Sequence, residues 1–252
     1  MIAPTRAAGA CLGNTHGMDL DSLTRRSGRA FRVASASLGA FWALIAASIL
    51  AGVTIASEPY WWRPSLSHFG AQGAQSELVY DGLQVAASVA LLALAIALPR
   101  ACEPLEGAGR LRRWQRLGLG GVIVLLAASL ATLALLPYNL GGQFGWPVYV
   151  IHNVAGWVEA IVPAASMMLL PWTLPVFSRR FYAFTWACLL PLVAVWFLFV
   201  IARILAHGLS ELIAYGVLGV WSFAFLAELA HVVRRDTTAD AFEFGIRRDL
   251  GI

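Results

Sequence analysis

EPYWWRPSLSHFGAQGAQSELVYDGLQ, residues 58–84, decides how this chain is read, because it is the one long polar connection on a side that carries almost no arginine. It joins an apolar segment at about Val33 to Ser57 to a second at about Leu78 to Leu98, both built almost entirely of Ala, Leu, Val, Ile and small residues. Tyr60, Trp61 and Trp62 are ring types that settle at a headgroup boundary, so the connection starts at a membrane interface.

Composition supports that reading. With 59% hydrophobic and only 13% charged residues and a mean hydropathy of +0.71, the apolar side chains cannot be spread over a soluble surface. The 252 residues allow six spans, each of roughly 20 residues to cross about 30 Å of hydrocarbon. Four further segments qualify, at about Leu117 to Leu136, Val148 to Leu170, Phe181 to Ile201 and Leu209 to Val233. Pro163 and Pro191 fall inside spans and are expected to kink them. The expected fold class is all-α, an integral membrane bundle of six transmembrane helices. Residues 1–32 read as a disordered or loosely ordered cytoplasmic tail, 33–233 as the six-helix transmembrane domain and 234–252 as a cytoplasmic C-terminal tail. The first 32 residues lack the apolar run of about 7–15 residues that a secretory signal needs, and Met18 opens a tidier start, MDLDSLTRRSGR.

All 18 basic residues are arginine. Sixteen lie in the N-terminal tail, the loop RACEPLEGAGRLRRWQR (residues 100–116), the Arg179–Arg180 pair and the C-terminal tail, whereas the other side holds only Arg63 and Arg203. Arginine marks the cytoplasmic side of short loops, so both termini are expected there, in a cell membrane of the bacterial plasma-membrane type. The formal net charge of +4 therefore reflects topology, and a lipid bilayer rather than nucleic acid is the expected partner.

Cys11, Cys102 and Cys188 form no metal or redox spacing, and no nucleophile elbow or HExxH helix is present. Any site must come from polar residues within the spans, which are costly in lipid and face the bundle interior. They fall on helical stripes. Asp81, Gln84 and Ser88 share one face of the second span, His152, Gly156, Glu159 and Pro163 one face of the fourth, and Glu211, Tyr215, Gly219 and Ser222 one face of the sixth. All three stripes begin on the side that holds Ser65, Ser67 and His68 as well as Arg203 and His207. They outline an outward-opening polar funnel of Ser65, Ser67, His68, Asp81, Gln84, His152, Asn153, Glu159, Arg203, His207, Glu211 and Tyr215.

Each piece also has a plainer reading. Ser65 and Ser67 are ordinary turn hydroxyls. Ser210 stands where a helix cap would, followed by Glu211 in the first turn. Asp81 can pair with Arg63 or Arg203 to tie the loop down, Glu228 and His231 can snorkel, and the small residues serve close helix packing.

PSLSHFG (64–70), followed by YDGLQ (80–84), and LLPYNLGGQFGWPVYVIHNVAG (135–156) together resemble the bacterial domain of unknown function 998 family over about Phe41 to Val233. The resemblance implies a six-helix integral membrane protein and brings no established reaction. Members often carry an acid in the loop before the fourth-span histidine, where this chain has Tyr138 and Asn139.

Two functional classes follow. In the first, the chain binds a lipid, a small solute or a membrane-protein partner in the funnel. In the second it is a metal-dependent intramembrane hydrolase acting on a lipid or lipid-linked substrate, with His68, His152, His207 and Asp81 as candidate ligands of a zinc ion that would acidify its bound water. A bis-histidine haem site would need a buried histidine on each of two facing helices, and only His152 lies clearly inside a span.

Overall fold

The computed structural model describes residues 20–56, 60–136 and 145–250, with side chains over 25–56, 60–136 and 147–236. Glu58, Tyr138, Asn139 and the first nineteen residues, including Cys11 and Met18, lie outside the described residues. The helices are α1 Leu20–Ala56, α2 Glu77–Ala101, the short α3 Glu103–Gly107, α4 Arg113–Leu135, α5 Gly145–Thr173, α6 Arg179–Trp196 and α7 His207–Leu250. A 3₁₀ turn at Leu66–Gly70 stands between α1 and α2, and a π-helical turn at Phe197–Ile201 ends α6. No strand occurs among the described residues.

Six helical stretches are long and apolar enough to cross a membrane, at Arg25–Ala56, Glu77–Gly107, Arg113–Leu135, Pro147–Thr173, Arg179–Ile201 and His207–Asp236. Neighbours in space follow chain order: α1 lies on α2, α2 on α4, α4 on α5, α5 on α6, α6 on α7, and α7 returns to α1. The arginine end of this ring is filled by Leu98, Leu105, Leu174, Phe177, Phe181 and Leu229. There Arg116 pairs with Glu103 and Glu106 and donates to the Pro99 carbonyl, which closes α3 onto α4.

Two terminal expectations are corrected. The stretch before Val33 is not loosely ordered throughout, since α1 begins at Leu20. No proline interrupts it, and Ser27 Oγ donates to the Ala101 carbonyl at 3.0 Å, docking the extra turns on the end of α2. Similarly α7 runs on to Leu250, because no proline follows Pro191 and buried Asp236 is held by Arg110 and Arg235, each at 3.3 Å. Glu228 does not simply snorkel, for its Oε1 accepts the Ser178 N–H at 3.1 Å at the start of α6.

Small residues set how closely helices approach. A side chain at Gly120 would place its Cβ 2.9 Å from the Ala95 carbonyl oxygen and 3.0 Å from Pro99 Cγ, so α4 can seat against α2 only with glycine there. Pro163 and Pro191 do lie inside helices, as do Pro99 and Pro171. Each removes one backbone donor, and Pro163 lacks the N–H that would close on the Glu159 carbonyl.

Candidate functional site

At the loop end of the bundle, the Ser65 side chain caps the 3₁₀ turn by accepting the Ser67 N–H at 3.3 Å, and the same hydroxyl donates to Glu211 Oε1 at 2.9 Å. Its single proton is thereby committed, so in the 2.8 Å contact between the two serine hydroxyls Ser67 is the donor. Glu211 Oε2 accepts the Leu66 N–H at 2.6 Å, and His207 Nε2 lies 3.2 Å from Oε1. One carboxylate on α7 thus latches a turn 145 residues earlier in the chain. The His207 ring stacks on Phe199 with centroids 4.4 Å apart.

The start of α7 is held from outside. The Leu209 N–H donates to the Trp62 carbonyl at 3.1 Å, and a Cβ at Gly208 would stand 2.5 Å from the Pro64 oxygen, an approach open only to glycine. This corrects the expected cap: α7 begins at His207, and Ser210 Oγ donates to the His207 carbonyl at 2.6 Å inside the first turn.

Beneath the latch the loop inserts apolar anchors. Leu66 and Phe69 are fully buried against Tyr80, and Gly52 leaves the room that the Phe69 ring fills, since a Cβ there would lie 2.4 Å from the ring. Gly70 makes room for Asp81, whose Oδ1 stands 2.1 Å from where a Cβ would be, and Ser76 Oγ donates to the Phe69 carbonyl at 2.8 Å. The loop that was read as the rim of a funnel thus packs its apolar residues onto the ends of the helices.

The sequence stripes converge in part. Gln84 donates to Ser48 Oγ at 2.9 Å inside the bundle, and its Oε1 has no hydrogen-bond partner among the described residues. His152 is buried with Nδ1 2.7 Å from the Leu136 carbonyl. The Tyr215 hydroxyl donates to Glu159 Oε2 at 3.5 Å, and Glu211 lies one helical turn before Tyr215 on α7. Three residues stand apart. Asn153 donates back to the Tyr149 carbonyl on its own helix, Arg203 is exposed at the α6–α7 turn with φ 53°, and His68 lines a separate pocket of about 360 Å³ with Gln72, Gln75 and Ser76. Arg63 lies over the Tyr60 and Trp62 rings at 4.5 and 5.4 Å, and among the described residues neither it nor Arg203 forms an ion pair with Asp81. His68, His152, His207 and Asp81 are not gathered round one centre, and no group of three His, Cys, Asp or Glu side chains among the described residues is placed to hold a metal ion.

What the stripes did not announce is an apolar cavity of about 470 Å³ between α1, α2, α4, α5 and α7, with Glu159 and Tyr215 toward its loop end and Gln115 and Thr173 toward its arginine end. Its opening follows from how α4 and α5 meet. Ser129 Oγ donates to the Ala155 carbonyl at 2.6 Å near one end, and Gln115 Nε2 to the Thr173 carbonyl at 2.6 Å near the other. These pins are fourteen residues apart on α4 and eighteen apart on α5. At 1.5 Å rise per residue, α5 has about 6 Å more contour between them. Pro163 lies in this stretch of α5, and the cavity lies beside it. Val122, Ile161 and Leu169 line the cavity and are also exposed on the bundle surface, so the gap opens sideways.

Trp42 joins the cavity to the α7 stripe: its Nε1 donates to Ser222 Oγ at 2.9 Å, and its ring lies over Gly219. The one sequence signal for this region was an acid four residues before an in-span proline, Glu159 and Pro163. No family model, no curated protein and no solved structure matches this chain.

Proposed function

We propose that this multi-pass membrane protein binds the hydrocarbon portion of a lipid or other amphiphile, admitted sideways from the bilayer between α4 and α5. The observation that carries the reading is the apolar cavity with a lateral gap, whose volume of about 470 Å³ falls within the roughly 300–1,000 Å³ of small-ligand sites. A carboxyl group within a span marks a functional position by default, and Glu159 sits at this cavity's polar end. The loop latched by Glu211 supports the same reading, since it holds Leu66 and Phe69 over the helix ends while Val122, Ile161 and Leu169 stay exposed at the side.

In this reading the arginine end faces the cytoplasm and the protein resides in a plasma membrane. Cysteine labelling at Gln75 and Gly107, both exposed, tests that orientation: the first is expected to react from outside and the second only after permeabilisation, and the reverse pattern inverts it. Ligand binding is tested by native mass spectrometry of the full chain after mild delipidation. The unmodified protein is expected to keep a chain-bearing lipid that Ala165→Trp, which fills the cavity, loses and Val124→Trp, on the exposed face of α4, keeps. No retained lipid in the unmodified protein overturns the reading.

A further inference from the structure

The polar end of the cavity restricts which amphiphile can occupy it. Within a bilayer a hydrocarbon tail gains little by leaving lipid for an apolar cavity, because lipid chains are as apolar as leucine. Selectivity must therefore come from hydrogen bonding and charge at the head. Glu159 carries the one carboxyl group among the side chains lining the cavity. Its carboxylate receives only the long 3.5 Å contact from Tyr215, and its backbone carbonyl lacks the helical donor that Pro163 cannot supply.

The nearby donors are already committed. Trp42 Nε1 is bound to Ser222 Oγ, Trp221 Nε1 to Thr185 Oγ1 at 3.1 Å, Ser166 Oγ to the Val162 carbonyl at 2.7 Å and Ser222 Oγ to the Gly219 carbonyl at 2.9 Å. A second carboxyl group, Glu211, lies one helical turn from Tyr215, and its Oε1 already accepts the Ser65 hydroxyl and faces His207 Nε2 in the latch. The chain has no lysine that could supply an ammonium. This end of the cavity thus offers carboxyl and carbonyl acceptors, and its lining lacks the arginine that a phosphate or carboxylate head would require.

We propose that the ligand is a long-chain amphiphile with an amine head, its ammonium donating to the Glu159 carboxylate and to the Glu159 carbonyl while the chain runs toward Gln115 and Thr173. The inference rests on the binding reading above and adds the chemical class of the head. It excludes anionic lipids as the preferred occupant.

The test compares hexadecylamine, hexadecanol and hexadecyl phosphate as ligands of the full-length protein in nonionic micelles, read as apparent Kd from the shift in thermal unfolding midpoint. The amine is expected to bind about tenfold more tightly than the alcohol, the factor that one charge-assisted hydrogen bond supplies, and the phosphate more weakly than either. In Glu159→Gln, which keeps the side-chain shape, the ratio of amine to alcohol is expected to fall to about one while alcohol binding persists. Glu77→Gln, which removes a carboxylate outside the cavity, is expected to retain the preference. Equal affinity for amine and alcohol in the unmodified protein, or a preference that survives Glu159→Gln, overturns the inference and leaves chain binding standing. Should Glu159→Gln fail to fold, Tyr215→Phe serves instead: it removes the one hydroxyl on Glu159 and is expected to keep or sharpen the amine preference, and its loss would count against Glu159 as the receptor. If none of the three compounds shifts the midpoint, the binding reading itself fails.

Discussion

Helix α4 has two seams, and they were built by opposite rules. Against α2 it presents Gly120, and the backbones close until the Ala95 oxygen stands where a side chain would begin. Against α5 it presents Gly118, which has nothing within 4 Å of an added Cβ, and Val122, which is exposed, so that two terminal hydrogen bonds carry the contact and the middle gapes. A glycine in a membrane helix is therefore not by itself a sign of close packing. The partner decides: α2 brings Ala95 and Pro99 to the seam, whereas opposite α5 the cavity lies between, lined by Ile161, Pro163 and Leu169.

The largest effect is expected from closing the tight seam to glycine's alternatives. Gly120→Ala should lower stability by about 2 kcal/mol, the middle of the range for overpacking a filled interface, measured as denaturant unfolding in micelles. A change near zero would mean that α2 and α4 slide freely, and the contrast between seams would vanish. Next comes the loose seam's bend. Pro163→Ala restores a donor to the Glu159 carbonyl, is expected to stabilise α5 by about 1 kcal/mol, the net worth of one such bond, and should weaken retention of a bound chain. Unchanged retention would show that the gap does not depend on the bend.

Smaller still are the pins. Ser129→Ala and Gln115→Ala should each cost about 0.6 kcal/mol, typical of interhelical polar contacts in membranes. Because they sit at opposite ends of the seam, the double variant should be additive within about 0.5 kcal/mol. Marked non-additivity would show the seam moving as one unit. The least effect is expected for Gly118→Ala, neutral or stabilising by up to about 1 kcal/mol through helix propensity alone. A loss comparable to that of Gly120→Ala would make the two seams alike.

The spans were legible because an apolar run of this length has few alternatives, and the second span was read to within three residues of α2 at either end. The extensions Leu20–Arg32 and Arg234–Leu250 were not, because polar composition says where lipid stops and not where a helix stops. Ser27 and Asp236, each held by a distant partner, carry those turns onward. Among the candidate residues, Glu159 and Tyr215, read on separate stripes, meet at 3.5 Å, and Ser65, Ser67 and Glu211 meet in a latched turn. Periodicity could show that Glu211 faced inward, but not that its acceptors would meet the Leu66 N–H from another part of the chain. The cavity was illegible for a different reason. A void is defined by the distances between helices, and these hinge on pins such as Gln115 to Thr173 that leave no mark in a pattern of polar and apolar letters.

The clamp on Asp236 gives α7 a mechanical character. The helix is 44 residues long, about 66 Å at 1.5 Å per residue, and Asp236 divides it unequally. Between Glu211 in the latch and Asp236 the helix runs about 38 Å, and beyond Asp236 it overhangs by about 21 Å to Leu250. It is thus a beam supported at two points, by the Trp62 carbonyl and Leu66 N–H at one and by Arg110 at the other. Tyr215 stands one turn from the first support, where such a beam yields least, so α7 forms the stiff wall of the cavity.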